Sequence, residues 1–245
     1  MTKAAATAKH VKPRTTPGRG IVKAKIARPP GRSKVPVGSL RLLPLRARPA
    51  PPPRYFVEPE WGAPVPFAGA TWMSVVIGPG QGGPGMYGSR PEPGTPTVMR
   101  RLLDDGRLNG FGWVAGHLLN DNLGGPGNAR NLTPLTTAGN KNHLVACEQR
   151  IKNFINAAYS RSRNYPNDTY WFGVAYEVTV GDEKWDDGHP SLCHVAKAIY
   201  VTARVIKVDK QTGNMSNATR AQTGIRCFFG AIRNFAVDNT GHRLI

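Results

Sequence analysis

His117, Asn131, Asn140 and Glu148 follow one another at intervals of 14, nine and eight positions in the stretch "GHLLNDNLGGPGNARNLTPLTTAGNKNHLVACE". A neutral imidazole can take a proton near pH 7, because its unperturbed pKa is about 6.5. An amide oxygen is a hard donor of the type that Mg²⁺ accepts beside its retained waters. Each residue also has a plainer reading. A histidine can be a satisfied strand residue, Asn140 can cap a helix start, leaving Asn142 as the nearest rival for the oxygen donor, and Glu148 can sit on a solvated helix face. Asn120, Asn122 and Asn128 read as turn residues, since asparagine tolerates left-handed backbone and bonds its own main chain.

The elements that must position these residues are legible in outline. "GFGWVAGHLL" reads as a strand, "NDNLGGPGNAR" as a turn and "NLTPLT" as a second strand. Residues 138 to about 160 read as a helix, whose buried face is marked by Leu144, Cys147, Ile151, Phe154, Ile155 and Ala158. Closing the hairpin brings His117, Asn131 and the first helical turn with Asn140 toward one point. Upstream, "GATWMSVVIG" is strand-like. "TPTVMRRLLDDGRLNG" reads as a short helix with a threonine cap and a stop at Gly106. Downstream, "TYWFGVAYEVTV" and "HVAKAIYVTARVIKV" are strongly strand-like, and "GIRCFFGAI" offers a further strand. The class is α+β: an antiparallel sheet carrying a strand, turn, strand, helix insertion.

In order, the His117 strand, the "GGPGN" turn, "NLTPL" and the helix asparagine resemble the ββα-metal, or His-Me finger, nucleases. Within them the stretch looks most like the DNA/RNA non-specific endonuclease family, including versions found as toxin domains. The match covers residues 112 to 152. The resemblance implies an embedded ββα-metal motif with His117 as general base. Asn140 would be the direct ligand of one Mg²⁺, with Mn²⁺ as a substitute, and Asn131 would hold the loop or the histidine. Glu148 matches the family's helix carboxylate. Eight residues of regular helix rise about 12 Å, so Glu148 is expected to reach the ion through ordered water. Lys152 stands where the family carries a phosphate-binding base, and an i, i+4 pair with Glu148 is expected. The implied activity is metal-dependent, largely sequence-non-specific cleavage of DNA, with RNA a second substrate.

One departure matters. The family reads Asp-Arg-Gly-His, whereas Val114 and Ala115 stand before Gly116 and His117 here. The missing arginine is a phosphate binder, for which Arg130, Lys141, Arg150 or the basic arm are the candidate substitutes. The alternative function is a nucleic-acid-binding or structural protein that keeps the fold without the chemistry. His143, three residues past Asn140, is expected to be exposed. His189, His194, Asp186, Asp187 and Cys193 lack the paired spacing of a structural zinc site, and "GPGQGGPG" lacks the lysine of a phosphate-binding loop.

The net charge of +18 is concentrated. Residues 1–57 hold 14 Lys or Arg and no acid, leaving 19 basic against 15 acidic residues in the rest. That segment also holds ten of the 22 prolines. It cannot bury enough apolar surface to offset its ordering entropy, so a disordered basic arm is expected over 1–57 and a nuclease domain over 58–245. Such an arm binds polyanions through salt-sensitive phosphate neutralisation, or serves as a solvating or export-related tail. No apolar run is long enough to span a bilayer, and no apolar segment follows the first lysines as in a secretory signal. Three unpaired cysteines point to synthesis in a reducing compartment, the cytoplasm. Together with the toxin-like stretch these features suggest export by a dedicated machine and an immunity protein as partner.

Overall fold

The computed structural model describes residues 50–92, 96–186 and 188–240. The expected arm lies outside the described residues up to residue 49, as does Asp187 of the acidic loop. The arm's boundary falls earlier than expected, because strand β1, Tyr55–Trp61, begins inside it. Tyr55 donates its hydroxyl to the Leu123 carbonyl at 2.8 Å, and Phe56 packs its ring against Trp171. These two half-buried aromatics give the start of β1 its tertiary contacts.

The fold is mixed α and β, built on an antiparallel six-stranded sheet. Strands β2 (Trp72–Ile77), β5 (Tyr170–Val180), β6 (Ala198–Asp209) and β7 (Met215–Asn217) follow β1 in the order β1-β2-β5-β6-β7. β8 (Ala231–Asp238) shares the outer edge of β6 with β7. Alternation explains which face is buried. In β6, Ile199, Val201, Ala203 and Val205 point into the core while Tyr200, Thr202 and Arg204 are exposed. Of "GIRCFFGAI" only Ala231 and Ile232 enter a strand. A single helical turn, Arg220–Thr223, precedes that segment and ends at Gly224 in left-handed backbone with φ 60°. No helix among the described residues is long and apolar enough to cross a membrane.

Between β2 and β5 the chain inserts the part that matters for function. Helix α1 (Val98–Asp104) is followed by a separate hairpin of β3 (Trp113–His117) and β4 (Leu132–Thr136). Thr97 does not cap α1, because its own backbone is already helical and its hydroxyl makes no capping bond; Asp105, not Gly106, ends the helix. Then α2 (Thr137–His143), a π turn (Leu144–Glu148) and α3 (Gln149–Asn164) form one continuous helix. Thr136 starts it by accepting a hydrogen bond from Gly139 N at 3.0 Å. Cys147, Ile151, Phe154 and Ile155 are fully buried in the core shared with β2, β5 and β6. Each contributes about 1.5–3 kcal/mol of burial where the side chain is large and apolar, so tertiary packing rather than helix propensity fixes this element.

A second apolar cluster of Val98, Met99, Leu102, Trp113, Leu192 and Val195 ties α1 to the hairpin. Asn239, just past β8 and fully buried, closes the other side. Its oxygen accepts from Thr136 N at 2.7 Å, and its amide donates to Pro134 and Ala196 carbonyls at 3.1 and 2.8 Å. The end of the hairpin and the start of the long helix are thus held against the main sheet.

Candidate functional site

His117 ends β3 opposite Leu132, the first residue of β4. β4 then runs away from it, and the long helix runs back along the hairpin. The turn joining the strands is pinned by Asn131. Its side chain is fully buried, accepts from Leu119 N at 2.8 Å, and donates to the Leu119 and Pro126 carbonyls at 2.9 and 2.8 Å. Both donors and one of the two oxygen lone pairs are spent on loop backbone, and the side chain is fully buried, so Asn131 acts as a positioning residue. The glycines of the turn have a steric reason. The position of a Cβ on Gly125 is occupied by the Leu119 carbonyl oxygen and the Asn131 amide, and Gly124 adopts φ 92° against Tyr55 and Arg54.

The imidazole of His117 is half-buried, with Nε2 3.0 Å from the Ser89 carbonyl oxygen. A carbonyl only accepts, so Nε2 carries the proton and Nδ1 keeps its lone pair. Burial lowers the His117 pKa below its ordinary 6.5, against opposing contributions from the Ser89 bond and the nearby Asp121. The ring is therefore neutral at pH 7 and presents a basic nitrogen. Ser89 itself is braced, since its N–H donates to the Gly125 carbonyl at 3.1 Å and its hydroxyl accepts from Gly127 N at 2.6 Å.

Asn140 lies in α2, half-buried, and its side chain makes no hydrogen bond among the described residues. Glu148 is 3% exposed; Asn120 Nδ2 donates to its Oε2 at 2.9 Å, and His143 Nδ1 lies 3.8 Å from its Oε1. The π turn alters the expected relation of Asn140 and Glu148. Gln149 N–H bonds the Leu144 carbonyl five residues back, so the turn absorbs one extra residue. In a regular helix eight positions rotate by about 80° beyond full turns; with one residue absorbed the offset falls to about 20°. Asn140 and Glu148 therefore share a helix face.

His143 corrects an expectation: it is 1% exposed, not on the surface. Tyr176, from the central strand β5, donates its hydroxyl to the Leu118 carbonyl at 3.2 Å, so that hydroxyl accepts His143 Nε2–H at 2.8 Å. Nδ1 of His143 then faces Glu148. This chain ties the helix to the residue immediately after His117. Burial lowers the His143 pKa to about 4 and raises that of Glu148 to about 7, despite the opposing effects of Lys152 and Asn120 on the carboxyl. Glu148 and Lys152 do not form the expected ion pair; Lys152 acts on the carboxyl only through its charge.

The expected phosphate contacts are dispersed. Lys152 lines a cleft of about 460 Å³ with Asn122, Gln149 and Tyr87. Arg130 instead lines a groove with Trp61 and Trp72, Arg150 lines one with Cys227 and Phe228, and Lys141 is exposed on α2. Val114 packs against the main core and Ala115 against the second cluster, so the two positions that depart from Asp-Arg are spent on packing. Arg54, from the last residues assigned to the arm, lies against Gly124, stacks 5.2 Å from the Tyr55 ring and donates to Gln81. It brings a cation to the turn that follows His117. His189 is occupied elsewhere: its Nδ1 accepts from Ser191 N and Leu192 N at 3.2 and 3.3 Å, and no cluster of three metal-binding acids, histidines or cysteines occurs among the described residues.

Ser89, Asn120, Tyr176 and Arg54 were invisible as site residues because each meets the site across 28 or more positions or through a backbone atom. His143 did carry a signal, lying four positions before Cys147 on the buried stripe. Compared with known family models, with curated proteins and with solved structures, the chain finds no match.

Proposed function

We propose that the protein is a metal-dependent endonuclease that hydrolyses phosphodiester bonds of DNA, and of RNA, with little sequence preference, and that the β3, β4, α2 unit is a ββα-metal motif. The observation that carries this reading is the His117 imidazole, neutral at pH 7, with Nε2 engaged by the Ser89 carbonyl and Nδ1 left basic. His117 takes the proton of the attacking water. Asn131 holds the turn after it, and Tyr176 with His143 holds the Leu118 carbonyl beside it.

The donor set fits a hard divalent cation. Asn140 has an amide oxygen without a protein partner among the described residues, and Glu148 lies on the same helix face. Mg²⁺ or Mn²⁺, when bound, supplies charge neutralisation at the phosphate and at the leaving oxygen. Lys152, in the cleft beside the turn after His117, and Arg54, against Gly124 of that turn, contact phosphate in this reading, in place of the arginine that Ala115 lacks.

The test is a plasmid-nicking time course with Mg²⁺, with EDTA and with His117→Ala. Cleavage that needs both the metal and His117 supports the reading; intact plasmid from folded protein across pH 6 to about 9 ends it. Packing of Val114 and Ala115 into the cores favours one alternative, a nucleic-acid-binding protein without catalysis. Salt-sensitive DNA binding without cleavage would select it. We further propose a role as a secreted toxin or effector countered by an immunity protein, supported by the basic arm joined to this site. Unaltered delivery after removal of the arm would sink it.

A further inference from the structure

The cleft that contains Lys152 borders the site along the chain, since Asn122 belongs to the turn after His117 and Gln149 follows Glu148, yet most of its walls take no part in the proposed hydrolysis. Those walls are the glycine-rich loop 81–88, the turn after His117 and the first turns of α3. At about 460 Å³ it falls in the ~300–1,000 Å³ range of small-ligand clefts. Lys152 is the single formal charge among the described residues that line it; the other polar groups include the amides of Gln81, Asn122, Gln149 and Asn156. Tyr87 stands at the edge and is 63% exposed.

Tyr87 presents its ring to the cleft from a braced loop. Gly88 N donates to the Asp121 carbonyl at 2.6 Å, and Gln81, 3% exposed, bridges Arg54 to the Met86 carbonyl. Gly82 is held against the Ile155 backbone of α3. Two residues after Tyr87, the Ser89 carbonyl receives the His117 ring. The loop that orients the histidine therefore also fixes the position of Tyr87.

The amides supply acceptors of the kind that read base edges. Asn122 Nδ2 is engaged by Asn120 and Asp121, leaving its Oδ1 unbonded, and Gln149 Nε2 is engaged by Asn153, leaving its Oε1 unbonded among the described residues. A lone cation, an aromatic face and amide acceptors together match the phosphate, π-face and exocyclic amines of one nucleotide. They suit neither an acidic peptide, which needs more charge, nor an apolar ligand.

We infer that this cleft is a subsite for a nucleotide flanking the scissile phosphate in single-stranded nucleic acid, with its base stacked on Tyr87 and its phosphate on Lys152. The inference rests on the nuclease reading for its place in the reaction. A base inside a duplex has both faces stacked and has none to give Tyr87, so the subsite makes single strands, DNA or RNA, the preferred substrate class.

The experiment measures binding in the His117→Ala background by fluorescence anisotropy, using a labelled single strand of about 12 nucleotides and the matching duplex. Tyr87→Ala is expected to weaken single-strand binding about 5- to 100-fold and duplex binding less than about twofold, with Tyr87→Phe retaining the wild-type affinity. Lys152→Gln is expected to lower the salt slope of single-strand binding by about 0.7. Unchanged affinity in Tyr87→Ala, or an equal loss on single strand and duplex, overturns the subsite. Plasmid nicking by the wild-type protein is scored separately. Nicking that requires His117 with no Tyr87 effect removes the subsite alone, whereas Tyr87-dependent binding without nicking supports the subsite and removes the nuclease reading.

Discussion

The lone pair on His117 Nδ1 exists only while the imidazole is neutral, and burial of the ring favours that form. A general base works above its pKa and fails below it. The acid limb of kcat/KM should therefore have its midpoint below 6.5, the ordinary histidine value, and activity should persist into mildly acidic solution before it is lost. A midpoint at or above 6.5, measured on a substrate of low affinity, would show that the ring is less buried in solution than its bond to Ser89 implies. His117→Ala is expected to lower kcat by about 10²- to 10⁴-fold. At the same scale, Asn131→Ala leaves the Leu119 N–H and two carbonyls unpaired in a buried turn. It should cost about 2–5 kcal/mol of stability, read as a fall in the denaturant midpoint, and more than an exposed asparagine such as Asn153. His117, Asn131, Asn140 and Glu148 could be named as candidates from the sequence because the resemblance that singles them out is carried by residue types at local intervals. Their partners could not, since a backbone carbonyl such as that of Ser89 has no residue-type signature.

The long helix shows what periodicity reveals and what it hides. Its buried stripe from Cys147 to Ala158 was legible from spacings of three and four, and so were β5 and β6 from their β-branched alternation. β1 was hidden by Pro59 and by a burial pattern that does not alternate, with two register irregularities along its edge pairing to β2. The π turn was hidden because one absorbed residue leaves the apolar spacing on each side intact. Yet that turn sets the electrostatics, by placing His143 and Glu148 five positions apart and face to face. The raised Glu148 pKa makes the folded state lose stability as pH rises from about 4.5 to about 7, because only the unfolded chain ionises there. The lowered His143 pKa acts in the opposite sense, stability being lost as pH falls from 6.5 through about 4. In metal-free protein the two slopes offset each other between about pH 4.5 and 6.5. Glu148→Gln keeps an acceptor for Asn120 and a donor for His143 Nδ1, and removes one slope. Its unfolding free energy, read by denaturant titration, should match or exceed that of the wild type above pH 7, by up to about 3 kcal/mol, and should fall more steeply in acid. Cleavage should fall at every pH. A variant less stable than the wild type at pH 8 would mean that Glu148 is ionised and paired in the folded protein.

At the scale of the whole molecule the question is where the basic arm stops and the fold begins. Charge and proline content place the border at residue 57, because nothing in composition separates "ARPAPPPR" from the aromatic pair that follows it. Contacts place it earlier. Tyr55 anchors the turn after His117 through Leu123, Phe56 packs on Trp171, and Arg54 lies on Gly124. Two truncations separate these borders. Removing residues 1–49 takes away 13 cations and none of the described contacts. It should leave the thermal midpoint unchanged while reducing DNA affinity at low salt and flattening the dependence of log K on log salt, since every phosphate that the arm neutralises adds about 0.9 to the steepness of that line. Removing residues 1–57 takes away the start of β1 as well. That protein should melt lower and cleave more slowly at saturating DNA, because the turn carrying Asn120 and Asn131 loses its brace. Equal melting temperatures for the two truncations would show that the start of β1 contributes nothing to the site, and would return Arg54 and Tyr55 to the arm.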